Sequence, residues 1–122
     1  MSATLRIDHE QLREERSAER LVRELRVPKE LPCWPGHFPG QEILPGVVQL
    51  DWVLQALADW TGAFPSLAEV SELKFKTFLL PGQELTLEIL REPARPSFRF
   101  ELAAGEALFA SGRVLLASEP AP

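Results

Sequence analysis

The chain has 122 residues, of which 45% are hydrophobic and 25% charged, a composition typical of one globular domain with its own core. Its formal net charge of −5 argues against broad nucleic-acid binding, which depends on a cationic surface. The single cysteine, Cys33, excludes an internal disulfide and a multi-cysteine metal site, and it indicates a reducing, cytoplasmic compartment.

The first part of the chain combines a short leader with a segment dense in charge. Residues 1–8 lack the apolar core of a signal peptide, and we expect them to be a loose leader. Between residues 10 and 27, glutamate and arginine pairs at helical spacing fit a helix. Three apolar residues nevertheless recur at even offsets, as in a half-buried strand: Leu21, Leu25 and Val27. The residues alone leave helix and strand open; two strands joined by a turn at Ser17-Ala18-Glu19 are favoured mainly by the family resemblance described below.

An irregular stretch and a buried helix follow. Residues 28–45 contain five prolines and two glycines, so they cannot form regular structure, and such a long irregular segment in a small domain is usually functional. From Val47 to about Trp60 the apolar residues cover most of a helix circumference, which predicts a largely buried helix. Pro45 suits its first turn, while Gly62 and Pro65 end it.

The remainder of the chain alternates with period two, as strands do. Four such runs occupy residues 70–79, 83–90, 95–103 and 107–117, with turns at Pro81-Gly82 and Gly105-Glu106. We therefore predict a single α+β domain over residues 1–122, in which an antiparallel sheet surrounds one helix. The core should extend over about residues 10–117, with a loose tail at 118–122.

Two side chains with acid–base chemistry lie fourteen positions apart around the start of the helix. His37 has an ordinary pKa near neutrality, as a general base requires. Asp51 lies among apolar neighbours that favour a protonated acid, and Gln55 one turn later can hydrogen-bond its carboxyl group. Two alternatives stay open: His37 could be a solvated turn residue, and Asp51, Gln55 and Asp59 could form the wet face of the helix.

The segment that holds these residues resembles the active-site signature of FabA/FabZ-type 3-hydroxyacyl-[acyl-carrier-protein] dehydratases. The resemblance is specific at His37-Phe38-Pro39-Gly40, at Leu44-Pro45-Gly46-Val47-Val48-Gln49-Leu50-Asp51 and at Gln55, and it extends more weakly over about residues 20–117. The sequence around Asp51-Trp52 is most similar to that of dehydratases from aryl polyene and related lipid pathways. FabZ-type proteins usually carry glutamate where this chain has Asp51, and FabA-type proteins carry aspartate. The acid therefore does not settle the subfamily.

The resemblance implies a hot-dog fold and a role for each residue of the signature. His37 would be the base and Asp51 the acid, and they would come from opposite subunits of a homodimer. The backbone N–H at Gly46 would donate to the thioester oxygen, and Gln55 would support Asp51. Three aromatic residues would line an acyl tunnel, although core packing is the commoner task of such side chains: Phe38, Trp52 and Phe78.

The resemblance also implies a partner and the absence of a cofactor. The acyl group would arrive on the phosphopantetheine arm of an acyl carrier protein, and the reaction would use no metal and no organic cofactor. The acidic carrier would dock on basic residues, for which the sheet offers Lys74, Lys76, Arg95, Arg99 and Arg113. Besides a homodimer, a heterodimer or a larger oligomer is open.

Two other functions fit the same fold. A hot-dog acyl thioesterase shares the substrate class but does not need the His-Phe-Pro-Gly turn. A non-catalytic subunit that only binds acyl carrier protein would be expected to have lost His37 or Asp51. The presence of the turn and of both residues favours the dehydratase.

Overall fold

The computed structural model describes residues 8–29, 46–62, 66–77, 79–93 and 96–117. The strands in these residues form one six-stranded sheet. Every strand pair is antiparallel, and the order across the sheet is β1-β2-β4-β5-β6-β3. The strands are β1 (Glu10–Arg16), β2 (Arg20–Arg26), β3 (Leu67–Phe75), β4 (Glu84–Arg91), β5 (Ser97–Ala104) and β6 (Ala107–Leu116). The predicted α+β architecture is confirmed.

A single α-helix within the described residues, α1 (Gly46–Thr61), lies against the sheet. It begins one residue before the predicted start and ends just before Gly62, whose positive φ of 83° is easily adopted without a Cβ. The predicted turn at Gly105 is present, also with a positive φ. Strand β3 begins and ends earlier than predicted, because the alternation that continues towards Leu79 belongs to the connection with β4.

The core lies between the buried side of α1 and one face of the sheet. The helix contributes Trp52, Val53, Ala56 and Leu57, all 0–1% exposed. The sheet contributes the inward residues of its alternating strands: Leu21, Leu25, Leu85, Leu87, Ile89, Phe98, Phe100, Leu102, Phe109, Ala110, Val114 and Leu116. The helix is thus largely buried, as its sequence predicts.

The hairpin of β1 and β2 holds the carboxyl-terminal end of α1. Arg16 donates a hydrogen bond to the backbone carbonyl of Asp59 at 3.2 Å, and the indole N–H of Trp60 donates to the carbonyl of Ser17 at 3.1 Å. The predicted turn between the strands is closed by a bond from the Ser17 N–H to the Arg20 carbonyl at 2.8 Å. The hairpin therefore fixes where this end of the helix lies.

A buried arginine strengthens that link. Arg23 lies on the inward face of β2 and is 1% exposed. Its guanidinium binds Glu14 of β1 at 2.6 Å and Asp59 of α1 at 3.0 Å, and it lies 3.2 Å from His9. A buried charge of this kind is tolerated only where partners surround it. Arg23 therefore joins two strands and the helix.

No helix among the described residues is long and apolar enough to cross a membrane. The expected leader (apart from Asp8), the expected tail and most of the irregular stretch lie outside the described residues.

Candidate active site

The first turns of α1 bring together three of the residues that the sequence indicated. Gly46 begins the helix, and Asp51 and Gln55 follow on one side of it, both half-buried. The Gln55 side-chain amide donates a hydrogen bond to Oδ2 of Asp51 at 2.6 Å. This i, i+4 contact fixes the carboxyl group and leaves the Oδ1 atom outside that contact. An acid that is held in one orientation suits proton transfer.

The third member of the polar stripe, Asp59, differs from the first two. Its side chain is exposed, and it binds Arg23. The three residues therefore do not form one solvent-exposed face of the helix. Asp51 and Gln55 are half-buried and hydrogen-bonded to each other, whereas Asp59 is exposed and binds the hairpin through Arg23.

Other predicted site residues lie outside the described residues or in the core. His37, Phe38 and Phe78 are outside the described ranges, as is Cys33, so their roles stay predictions. Trp52 is fully buried and packs within the core. Contact of its ring with an acyl group stays a prediction.

Two residues beside the helix start were not indicated by the sequence patterns. The ring of Phe75 on β3 lies against Gly46, so closely that a Cβ added to the glycine would be 2.9 Å from two ring carbons. Gln49 is 3% exposed, and its carbonyl oxygen has no hydrogen-bond partner among the described residues. The Phe75 contact has no local sequence signal, because it depends on how β3 lies against the start of the helix.

The ring of Trp52 also contacts a histidine, His9, which precedes β1. The rings of His9 and Trp52 have centroids 5.2 Å apart and are tilted by 58°. Because a guanidinium can only donate, the contact of Arg23 with Nε2 places the proton of a neutral His9 on Nδ1. The pKa of His9 is below its usual 6.5, mainly because burial disfavours the charged ring and also because Arg23 is positive.

This lowered pKa predicts a loss of stability in mild acid. Between the folded and unfolded pKa values the unfolded chain binds more protons, so the free energy of unfolding falls as pH drops below 6.5. The variant His9→Gln keeps an acceptor for Arg23 but does not titrate, and it should show a flatter profile. Urea denaturation between about pH 7 and about pH 5.5 measures the difference.

A second titrating group acts in a separate window. Hydrogen bonds from Arg113 and Ser97 lower the pKa of Glu92 below 4.5, so its contribution is lost only at lower pH. If the wild type and His9→Gln lose the same stability between about pH 7 and about pH 5.5, His9 is not the sensor.

The cations proposed for carrier docking fall into two groups. Lys74 and Lys76 are exposed on and just after β3. Arg99 and Arg113 are cross-strand neighbours, but carboxylates of Glu72 and Glu92 face them. The arginine pair therefore adds little net positive charge, and the two lysines are the better candidates. Arg95 lies outside the described residues.

Comparison with known proteins agrees with the resemblance drawn from the signature. The family model for ApeI-like proteins, described as ApeI dehydratase, matches residues 13–113. A FabZ 3-hydroxyacyl-[acyl-carrier-protein] dehydratase from Haemophilus influenzae (strain PittEE) is 40% identical over 75 residues, 50% of this chain and 48% of that protein. FabZ of Symbiobacterium thermophilum is 34% identical over 77 residues, 57% of this chain and 54% of that protein. The chain thus spans about half the length of these curated relatives.

Solved structures agree over almost the whole chain. The dehydratase heterocomplex ApeI:P from Xenorhabdus doucetiae matches with a TM-score of 0.81 and 25% identity, over 92% of this chain and 100% of that chain. An uncharacterized protein from Erwinia carotovora subsp. atroseptica matches with a TM-score of 0.74 and 27% identity, over 91% and 97%. The expected hot-dog fold is confirmed.

Proposed function

The chain belongs to the ApeI-like dehydratase family, and from this premise we propose that it is a 3-hydroxyacyl-[acyl-carrier-protein] dehydratase. The reaction eliminates water from a 3-hydroxyacyl thioester and gives a trans-2-enoyl thioester. The observation that carries the proposal is the Asp51–Gln55 pair on a helix that begins at Gly46. Fatty-acid or aryl-polyene-like lipid synthesis is the setting that the resemblance supports.

The elimination assigns a task to each residue of the signature. A base removes a proton from the carbon next to the thioester carbonyl, and the resulting electron pair forms the new double bond as the β-hydroxyl leaves. In our proposal His37 takes this proton, and a protonated Asp51 gives its own proton to the leaving oxygen, which departs as water. The N–H at Gly46, supported by the positive end of the helix, stabilises the negative charge on the thioester oxygen.

Gln55 has a positioning task in this proposal. It donates to one oxygen of Asp51 and so leaves the other oxygen to face the β-hydroxyl. Its amide also holds the carboxyl group in one rotamer, which limits the entropy lost in reaching the transition state. The residue need not touch the substrate.

We further propose that an acyl carrier protein delivers the substrate and that the site is shared between two subunits. The carried acyl group supplies its own phosphopantetheine arm, and the chemistry assigned above uses only protein groups. The similar ApeI:P structure is named a dehydratase heterocomplex, which supports a different partner subunit as readily as a second copy of this chain. The exposed Lys74 and Lys76 are the described cations that an acidic carrier would meet.

The purified chain offered a set of 3-hydroxyacyl-carrier proteins tests the function. Mass spectrometry should show loss of water from the carrier-bound acyl group, and the reverse hydration of the enoyl product. Release of free acid instead, with the carrier left as a bare thiol, would replace the dehydratase by a thioesterase. Carrier binding without either reaction would support a non-catalytic subunit, which addition of a catalytic partner chain would then activate.

A further inference from the structure

The ring of Phe75 on β3 is placed unusually among the aromatic residues. Among the described phenylalanines, Phe98, Phe100 and Phe109 are 1–5% exposed, but Phe75 is 47% exposed. Its ring atoms Cε1, Cε2 and Cζ nevertheless lie against Gly46, where α1 begins. The ring thus has one part packed on the helix start and another part open.

A bulge in β3 aims this ring at the helix. Val70 pairs with Val114, and Phe75 pairs with Ala110, and both of these partners face the core. Because side chains alternate along a strand, residues five positions apart would lie on opposite faces of a regular strand. The register shift between Ser71 and Lys74 adds one residue and reverses this parity, which turns Phe75 inward.

Glu72 is the residue that makes the bulge. Its φ of 52° lies in the left-handed region, which is unfavourable for a residue with a Cβ. Its carboxylate binds Arg113 at 2.5 Å, and Arg113 in turn makes two bonds to Glu92, at 2.6 and 3.1 Å. These outward ion pairs occupy the Glu72 side chain, whereas the bulge itself depends on the backbone conformation of Glu72.

We propose that Phe75 is a specificity-determining residue of the dehydratase site, which limits the width of the acyl group that can lie beside Gly46. Glu72 is its positioning residue, because the bulge at Glu72 sets which face of β3 carries the ring. The inference rests on the function proposed above, since the helix start is where that function places the thioester. The open part of the ring supplies the apolar surface that an acyl chain would cover.

Substitution of Phe75 tests the proposal through the ratio of kcat/KM values for wide and narrow substrates. Phe75→Ala should raise the ratio of aryl or branched to short straight-chain 3-hydroxyacyl substrates by about tenfold. Phe75→Leu should restore most of the wild-type ratio. Leu67→Ala is the matched control, because Leu67 is 44% exposed on the same strand but lies before the bulge, and it should leave the ratio unchanged.

Substitution of Glu72 tests the bulge independently. Glu72→Gly removes the carboxylate but tolerates the left-handed backbone, so it should keep the wild-type ratio. Glu72→Val opposes that backbone and should shift the ratio in the same direction as Phe75→Ala. If Glu72→Gly shifted the ratio as much as Glu72→Val, the backbone bulge would not be what positions the Phe75 ring.

The remaining outcomes separate this inference from the function itself. An active wild type with Phe75→Ala slowed equally on every substrate overturns the inference and leaves the dehydratase. Loss of oligomer mass in light scattering on Phe75→Ala, with an unchanged ratio, shows that the ring contacts another subunit instead. A wild type without dehydratase activity overturns both proposals.

Discussion

Asp51→Asn and His37→Ala are each expected to reduce kcat for 3-hydroxyacyl-carrier dehydration by about 10² to 10⁴-fold, the contribution of one general acid or base. Asparagine has the shape of Asp51 and keeps an acceptor for the Gln55 amide, so the helix should remain as it is. It cannot, however, give a proton to the leaving hydroxyl. Stopped assays read by mass spectrometry measure the loss, and thermal denaturation verifies the fold.

Asp59→Asn is the matched control for the acid. Asp59 is the same residue type on the same helix, two turns further along, and it binds Arg23 rather than Gln55. It should retain kcat and lose only some stability. Activity of Asp51→Asn within about threefold of the wild type, with His37→Ala inactive, would place the acid elsewhere.

Combining the two inactive variants examines whether the site is shared. Co-expressed at equal amounts, they should form mixed dimers in which one site holds both an intact His37 and an intact Asp51. Random pairing then restores about a quarter of the wild-type activity in a two-fold dimer. A mixture as inactive as its components would mean that both residues act from one chain.

Arg23→Met is expected to reduce the free energy of unfolding by about 2 to 3 kcal/mol, because it removes the buried partner of the Glu14 carboxylate and leaves that carboxylate with the more exposed Arg16. The Glu14 side chain is only 11% exposed, so water cannot replace the arginine well. Asp59 contributes less, since its side chain is more than half exposed. Chemical denaturation at fixed protein concentration measures the change, and the thermal midpoint should fall by about 10 °C.

Arg20 provides the control on the same strand. It also forms an ion pair, with Glu88 at 2.5 Å, but its side chain is 55% exposed. Arg20→Met should therefore change stability by no more than about 0.5 kcal/mol. The double variant Arg23→Met with Glu14→Gln should be more stable than the sum of the single changes predicts, because the Glu14 charge is removed together with its buried partner. Equal losses for Arg23→Met and Arg20→Met would contradict the role of the buried arginine.

The helix and the last four strands could be predicted because each carries its period in the sequence, whereas β1 and β2 also fit a helix and were favoured as strands mainly by the family resemblance. The Asp51–Gln55 contact could also be predicted, since residues four apart on a helix are neighbours. The setting of Arg23 could not. Alternation with Leu21 and Leu25 places it inward, but the partners that make this possible lie 9, 14 and 36 positions away. Such distances are fixed only when the hairpin docks on the helix.

Phe75 shows a second reason why part of the candidate site could not be predicted from the sequence. Counting by twos from Val70 places Phe75 on the outer face, and only the bulge reverses this. Residues in the left-handed region are usually glycine or asparagine. Here the residue is Glu72, so the bulge cannot be recognised in the sequence. The position of the Phe75 ring beside Gly46 could therefore not be predicted from the sequence.

The two ends of α1 are held from opposite margins of the sheet. Arg16 and the turn after β1 bind the last turn of the helix, whereas Phe75 of β3 contacts its first residue. In the described sheet, β1 and β3 are the two edge strands. The contacts at the two ends of the helix therefore come from different strands and share no residue. If Phe75 selects the acyl group as proposed, substitutions on β3 would change the substrate preference, whereas the contacts that fix the other end of the helix lie on the opposite edge of the sheet.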